Sequence, residues 1–222
     1  MLYTFAVATI LITLAELGDK TQLLALALAT KYKAWQVIVG IFVATVVIHF
    51  FSTLIGGLIG SLIPEFWMRL VAGVLFVGFG VWTLRGDDDQ DADEATAGSR
   101  YGPIVTTAVA FFLAEIGDKT QIMTMTIAAD PAAVLKTLGA AGPMIGDFLA
   151  GIGLTARSFT PAESFWGVWM GSTVGMMIAD GAAIVVGRVL GRTMPEKLIS
   201  RIAGVVFILF GVVYVVTAFL IR

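Results

Sequence analysis

Six long runs of apolar residues dominate the chain, at about 2–30, 35–63, 66–84, 104–129, 165–190 and 198–221. Each is long enough to cross a hydrocarbon core of about 30 Å as a helix, which takes roughly 20 residues at 1.5 Å each. Between the third and fourth runs lies a stretch rich in Asp, Gly, Ala and Ser that cannot bury apolar area and reads as a solvated linker. The pattern predicts an all-α membrane protein of six transmembrane helices. Residues 1–84 form one group of three, 85–102 an acidic cytoplasmic linker, and 103–222 a second group of three.

The two groups repeat each other. Glu16-Leu17-Gly18-Asp19-Lys20-Thr21-Gln22 returns as Glu115-Ile116-Gly117-Asp118-Lys119-Thr120-Gln121, 99 positions later. Further on the offset becomes 131, matching Trp35 with Trp166, Gly40 with Gly171, His49 with Asp180, and Phe79-Gly80 with Phe210-Gly211. The second group therefore carries an insert at about 130–164, whose prolines and glycines predict a loop with a short interfacial or re-entrant piece near 143–154. An odd number of crossings per group makes successive groups enter from opposite sides, so two inverted three-helix repeats are expected.

Lys and Arg fix the expected orientation, because cytoplasmic loops carry their excess. With both termini outside, Lys31, Lys33, Arg85, Arg100, Arg188, Arg192, Lys197 and Arg201 lie inside, against Arg69, Lys136, Arg157 and Arg222 outside. The first run lacks a basic leading region and a small-residue cleavage site, so it is expected to be retained as a helix. With no targeting extension recognised, a prokaryotic cytoplasmic (inner) membrane is the expected location.

Composition narrows the chemistry. Only 14% of residues are charged and there is no cysteine, which removes disulfides, thiolate metal sites and cysteine nucleophiles. Nucleic acid is not an expected partner, since the net charge is -2 and the acidic excess sits in the linker.

Seven ionisable groups nevertheless fall inside apolar runs: Glu16, Asp19, Lys20, Glu115, Asp118, Lys119 and Asp180. Each costs at least a few kcal/mol there, so a role must compensate. Glu16 and Asp19 sit three apart on a predicted helix and so share a face, with Lys20 beside Glu16, and the second motif repeats this. One reading is that Glu and Lys neutralise each other and staple helices. The sharper one counts charge: four carboxylates and two ammonium groups leave about -2, which one divalent cation or two protons would balance, the two competing for the same oxygens. Glu16, Asp19, Glu115 and Asp118 are the candidate metal ligands, with Thr21, Gln22, Thr120, Gln121, Lys20 and Lys119 as additional ligands or neighbours. Such an oxygen set suits Mn2+, Ca2+ or Mg2+ rather than zinc or copper. His49 and Asp180, equivalent in the repeat, are candidate proton-relay residues. Gly18 and Gly117 permit a kink or a close helix approach.

This doubled motif resembles the Gdt-type cation/proton exchangers, which carry two Glu-x-Gly-Asp-Lys/Arg-Thr/Ser signatures and whose members move Mn2+ and Ca2+. The resemblance covers nearly the whole chain; the insert looks long for the family. It implies an antiporter without a cofactor, with divalent cation and protons as substrates, the bilayer as surroundings, and the four motif carboxylates as cation-binding and proton-coupling groups. It further implies that Mn2+, then Ca2+, is moved, by export from the cytoplasm. Rival readings are a cation channel or an exporter of a small cationic metabolite. An intramembrane aspartyl protease would need Gly-x-Gly-Asp and a Tyr-Asp pair. Here Glu16 and Glu115 stand at the first Gly, and no Tyr-Asp occurs, so no enzyme is expected.

Overall fold

The computed structural model describes residues 1–85, 102–140, 142–151, 153, 158–190 and 196–220; the acidic linker falls almost wholly outside them. The described residues are helical: α1 (Leu2–Glu16), α2 (Lys20–Lys31), α3 (Ala34–Leu62), α4 (Glu65–Arg85), α5 (Pro103–Glu115), α6 (Lys119–Ala129), α7 (Pro131–Ala140), α8 (Pro143–Gly151), α9 (Pro161–Leu190) and α10 (Glu196–Leu220). Ala34–Leu62 and Pro161–Val186 are each long and apolar enough to cross a membrane. The bent pair α1–α2 makes a third candidate.

Two features depart from the hydrophobic pattern. The runs at 2–30 and 104–129 are each two helices, with α1 and α2 meeting at a 77° bend. Hydropathy averages over such a break because the residues on both sides stay apolar. The insert, expected to be mainly loop, contains α7 and α8. Asp130 opens α7 by accepting the Ala133 backbone N–H at 2.8 Å, with proline at the first helical position.

Helix α9 starts on a reciprocal cap: Thr160 Oγ1 accepts from the Glu163 backbone N–H at 3.2 Å, and Glu163 Oε2 accepts from the Thr160 N–H at 3.1 Å. From there α9 runs parallel to α1. Thr4 donates to the Glu163 carbonyl at 2.7 Å, Thr9 to Gly171 and Thr13 to Gly175, both at 3.1 Å. Gly171 and Gly175 permit this approach: a Cβ on Gly175 would lie 2.7 Å from the Thr9 carbonyl oxygen.

Helix α3 lies in the same manner along α5 and α6, with Gly40 against Thr107 and Gly56 and Gly60 against Met125 and Ala129. It runs antiparallel to α9, where Phe50 meets Phe165 and Thr45 meets Met177. Helices α4 and α10 form a separate antiparallel pair, Gly73 against Gly211 and Gly80 against Gly204. Helix α3 of the first group thus packs on α5 and α6 of the second, and α9 of the second packs on α1 and α2 of the first. The interlock carries the ends of α1 and α5 to the centre.

Candidate cation site

Both motifs fall at helix breaks of one design. Helix α1 ends at Glu16 and α5 at Glu115; Gly18 and Gly117 follow with φ of +78° and +80°, left-handed backbone that glycine alone adopts cheaply. Asp19 and Asp118 are then extended and lead into α2 and α6. A glutamine braces each break: Gly18 N–H donates to Gln22 Oε1 at 2.9 Å, and Gly117 N–H to Gln121 Oε1 at 2.7 Å. Glu and Asp therefore do not share the face of one continuous helix. They flank a turn, with the carbonyl ends of α1 and α5, the negative poles of their dipoles, converging where the carboxylates meet.

Oxygens of Glu16, Asp19 and Glu115 lie within 4.8 Å of one another, and all three residues are buried. Thr21 donates to Glu16 Oε2 and Thr120 to Glu115 Oε2, each at 3.0 Å. Among the described residues, the other glutamate oxygens and Asp19 Oδ2 have no hydrogen-bond donor. Asp118 is half-buried and stands outside this tight group, though its charge acts on Glu115.

Lys119 does not pair within its own motif as the local spacing suggested. Lys119 forms a buried ion pair with Asp19 of the other motif. The side chain of Lys20 is outside what is described. Gln22 also differs from Gln121: its Nε2 donates to the Ala179 carbonyl of α9 at 3.1 Å, occupying both ends of its amide. No sequence signal marked the Ala179 carbonyl, because any residue type supplies one.

The repeat partners His49 and Asp180 separate in role. Asp180 is fully buried, accepts no hydrogen bond from the described residues, and interacts electrostatically with Asp19, Glu16 and Glu115. His49 is also fully buried, and neither ring nitrogen has a partner among the described residues.

Apolar helices interrupted by charged turns, with carboxylates converging in a buried interior, are an arrangement suited to holding an ion within a membrane protein. Residues 4–91, 103–150 and 145–221 match the GDT1 family of divalent cation/proton antiporters, and the chain belongs to that family. It is 31% identical to a Vibrio cholerae protein named "Putative manganese exporter", over 93% of this chain and 87% of that one. It is 28% identical to a GDT1-like protein of Synechocystis, over 96% and 97% of the two chains. A chloroplastic GDT1-like protein of Oryza sativa is 30% identical over 94% of this chain and 59% of its own length. No solved structure matches.

Proposed function

We propose that this antiporter exchanges Mn2+, in preference to Ca2+, for protons, exporting the metal ion from the cytoplasm across a prokaryotic cytoplasmic membrane. The observation that carries this is the convergence of Glu16, Asp19 and Glu115 with oxygens free to coordinate. With Lys119 beside them, three ionised carboxylates leave a formal charge of -2, which one divalent cation or two protons neutralise. The protein then offers either substrate the same electrical balance, and the two compete for the same oxygens. Asp118 completes the ligand set as the ion settles, and Thr21 and Thr120 hold the glutamates in place. An oxygen shell of this size accepts hard divalent ions, and the name of the Vibrio relative supports manganese among them.

The proposed architecture is six crossings in two inverted groups, with both termini outside. The chain directions support it: α9 runs with α1, α3 runs with α5 and α6, and α3 opposes α9, so α1 and its counterpart α5 run oppositely.

The test is metal flux with simultaneous pH readout in proteoliposomes. Glu16→Gln and Glu115→Gln keep shape and a carbonyl ligand but lose charge and proton capacity, so both abolish exchange while the protein stays folded and inserted. Wild-type exchange in both variants would make these carboxylates structural. Metal flux without proton flux in the wild type would indicate a channel.

A further inference from the structure

The two halves differ where helices pack beyond the carboxylates. On α3, Thr45, His49, Ser52 and Thr53 follow one another at helical spacing, all buried, on a face between Met177 of α9 and Met125 of α6. Across that cleft Thr124 of α6 donates to Ser172 Oγ of α9 at 3.2 Å, both fully buried. Thr120, one turn before Thr124, donates to Glu115, so a line of hydroxyls leads from the cleft to the carboxylates. Neither His49 nitrogen nor the Thr53 hydroxyl has a partner among the described residues.

The repeat supplies a control for this cleft. Its counterpart lies between α9, α2 and α3, where Ala25 stands for Thr124, Ile41 for Ser172, Ile184 for Thr53 and Ala183 for Ser52. Leu24, Ala25, Ile41 and Ile184 there form a closed apolar core. His49 itself answers to Asp180, which belongs with the carboxylates of the cluster; beyond that pair, one fold has been lined with hydroxyls on one side and with alkyl groups on the other. Packing does not require the difference, because the apolar version packs in the same scaffold.

We propose that the cleft around His49, Thr53, Thr124 and Ser172 holds ordered water and is the proton path to the carboxylate cluster, while the matching cleft at Ala25, Ile41 and Ile184 is dry. Buried polar groups without protein partners are the surroundings in which internal water is retained; His49 and Thr53 are such groups, and the bonded hydroxyls of Thr124 and Ser172 keep lone pairs with which to complete a water molecule's two to four bonds. The lining residues named here include no carboxylate, so they hold a chain of water but give a dehydrated divalent ion no anionic ligand. Protons pass along such a chain and the metal ion does not. The path rests on the proton-coupled exchange proposed above; the water itself does not.

The chain lacks cysteine, so single cysteines report without background. In proteoliposomes, Thr53→Cys, Thr124→Cys and Ser172→Cys should react with a small water-soluble methanethiosulfonate at least about tenfold faster than Ala25→Cys, Ile41→Cys and Ile184→Cys, because the thiolate forms only where water reaches it. Equal rates in the two sets overturn the proposal. In a second arm, Thr53→Val and Ser172→Ala should slow metal-driven proton flux about tenfold with equilibrium Mn2+ binding unchanged. Unchanged flux, or loss of binding, removes the path even if the labelling is asymmetric. A wild-type protein that moves metal without protons sinks the exchange reading instead, while the labelling still reports the water.

Discussion

The two signature turns have the same residues, the same left-handed glycine and the same glutamine brace, yet the first is enclosed and the second is open at its edge. Asp19 and Gln22 are buried, whereas Asp118 and Gln121 are half-buried and Gly117 is exposed. The cause lies in the neighbouring helix. Helix α9 presses on α1 through Gly167, Gly171 and Gly175, and Thr9 and Thr13 bond to its carbonyls. At the equivalent positions α3 keeps only Gly40, against Thr107, between Gln36 and Ala44, and α5 has Ala108 and Phe112, so the second seam lacks two of the three glycines and both of the threonines that bond across the first. A repeat reproduces local conformation, but burial is set by what each copy packs against. We infer that access to the proposed site is by way of the second motif.

The largest effect is expected where the motifs meet. Lys119→Gln leaves Asp19 as a buried carboxylate without its counter-ion, which costs about 3–5 kcal/mol. The midpoint of thermal unfolding of the purified protein should fall accordingly, and saturating Mn2+ should restore part of it, since a ligand bound only by the folded state stabilises by mass action. An unchanged midpoint would mean that Asp19 is satisfied without Lys119, and the link between the two turns would be lost.

Next is the seam. Gly175→Ala sets a methyl 2.7 Å from the Thr9 carbonyl oxygen and must part α9 from α1, at about 1–3 kcal/mol. Gly57→Ala meets nothing within 4 Å and should be neutral or stabilising by up to about 1 kcal/mol. Unfolding midpoints of the two variants compare them directly. If the Gly175 variant also exposes Gln22, seen as faster hydrogen exchange at Gly18, the glycine seam is what encloses the first turn.

Much of this was legible in the sequence. The apolar runs placed α3 and α9 closely, because buried and lipid-facing helices both read as continuous apolar stretches. The motif carboxylates were singled out because charge is costly in such runs. Three things were not legible. A single glycine at positive φ breaks a helix without altering hydropathy, so Leu17 to Asp19 read as helix. Lys119 pairs with Asp19 across the repeat, a contact that depends on how the halves interlock and not on spacing within a motif. In the insert, α7 was hidden by the proline that starts it rather than disrupts it, whereas α8 falls on the short piece expected near 143–154.

The smallest expected effect gives the finest comparison. Gln22→Leu removes both bonds of its amide, stranding the Gly18 N–H and the Ala179 carbonyl between packed helices, which costs about 1–3 kcal/mol. Gln121→Leu removes only the bond from Gly117, whose exposed N–H can turn to water, so the cost should stay within about 0.5 kcal/mol. Leucine is close in size to glutamine, so the contrast reads hydrogen bonding more than volume. Paired unfolding midpoints measure the difference, and hydrogen exchange at the two glycines tells why. The Gly117 amide should exchange fast in the wild type and the Gly18 amide slowly. Equal costs with slow exchange at Gly117 would place the second turn against lipid instead of water, since an N–H in hydrocarbon has no other acceptor. The proposed access through the second motif would then have to be abandoned, while the enclosure of the first would stand.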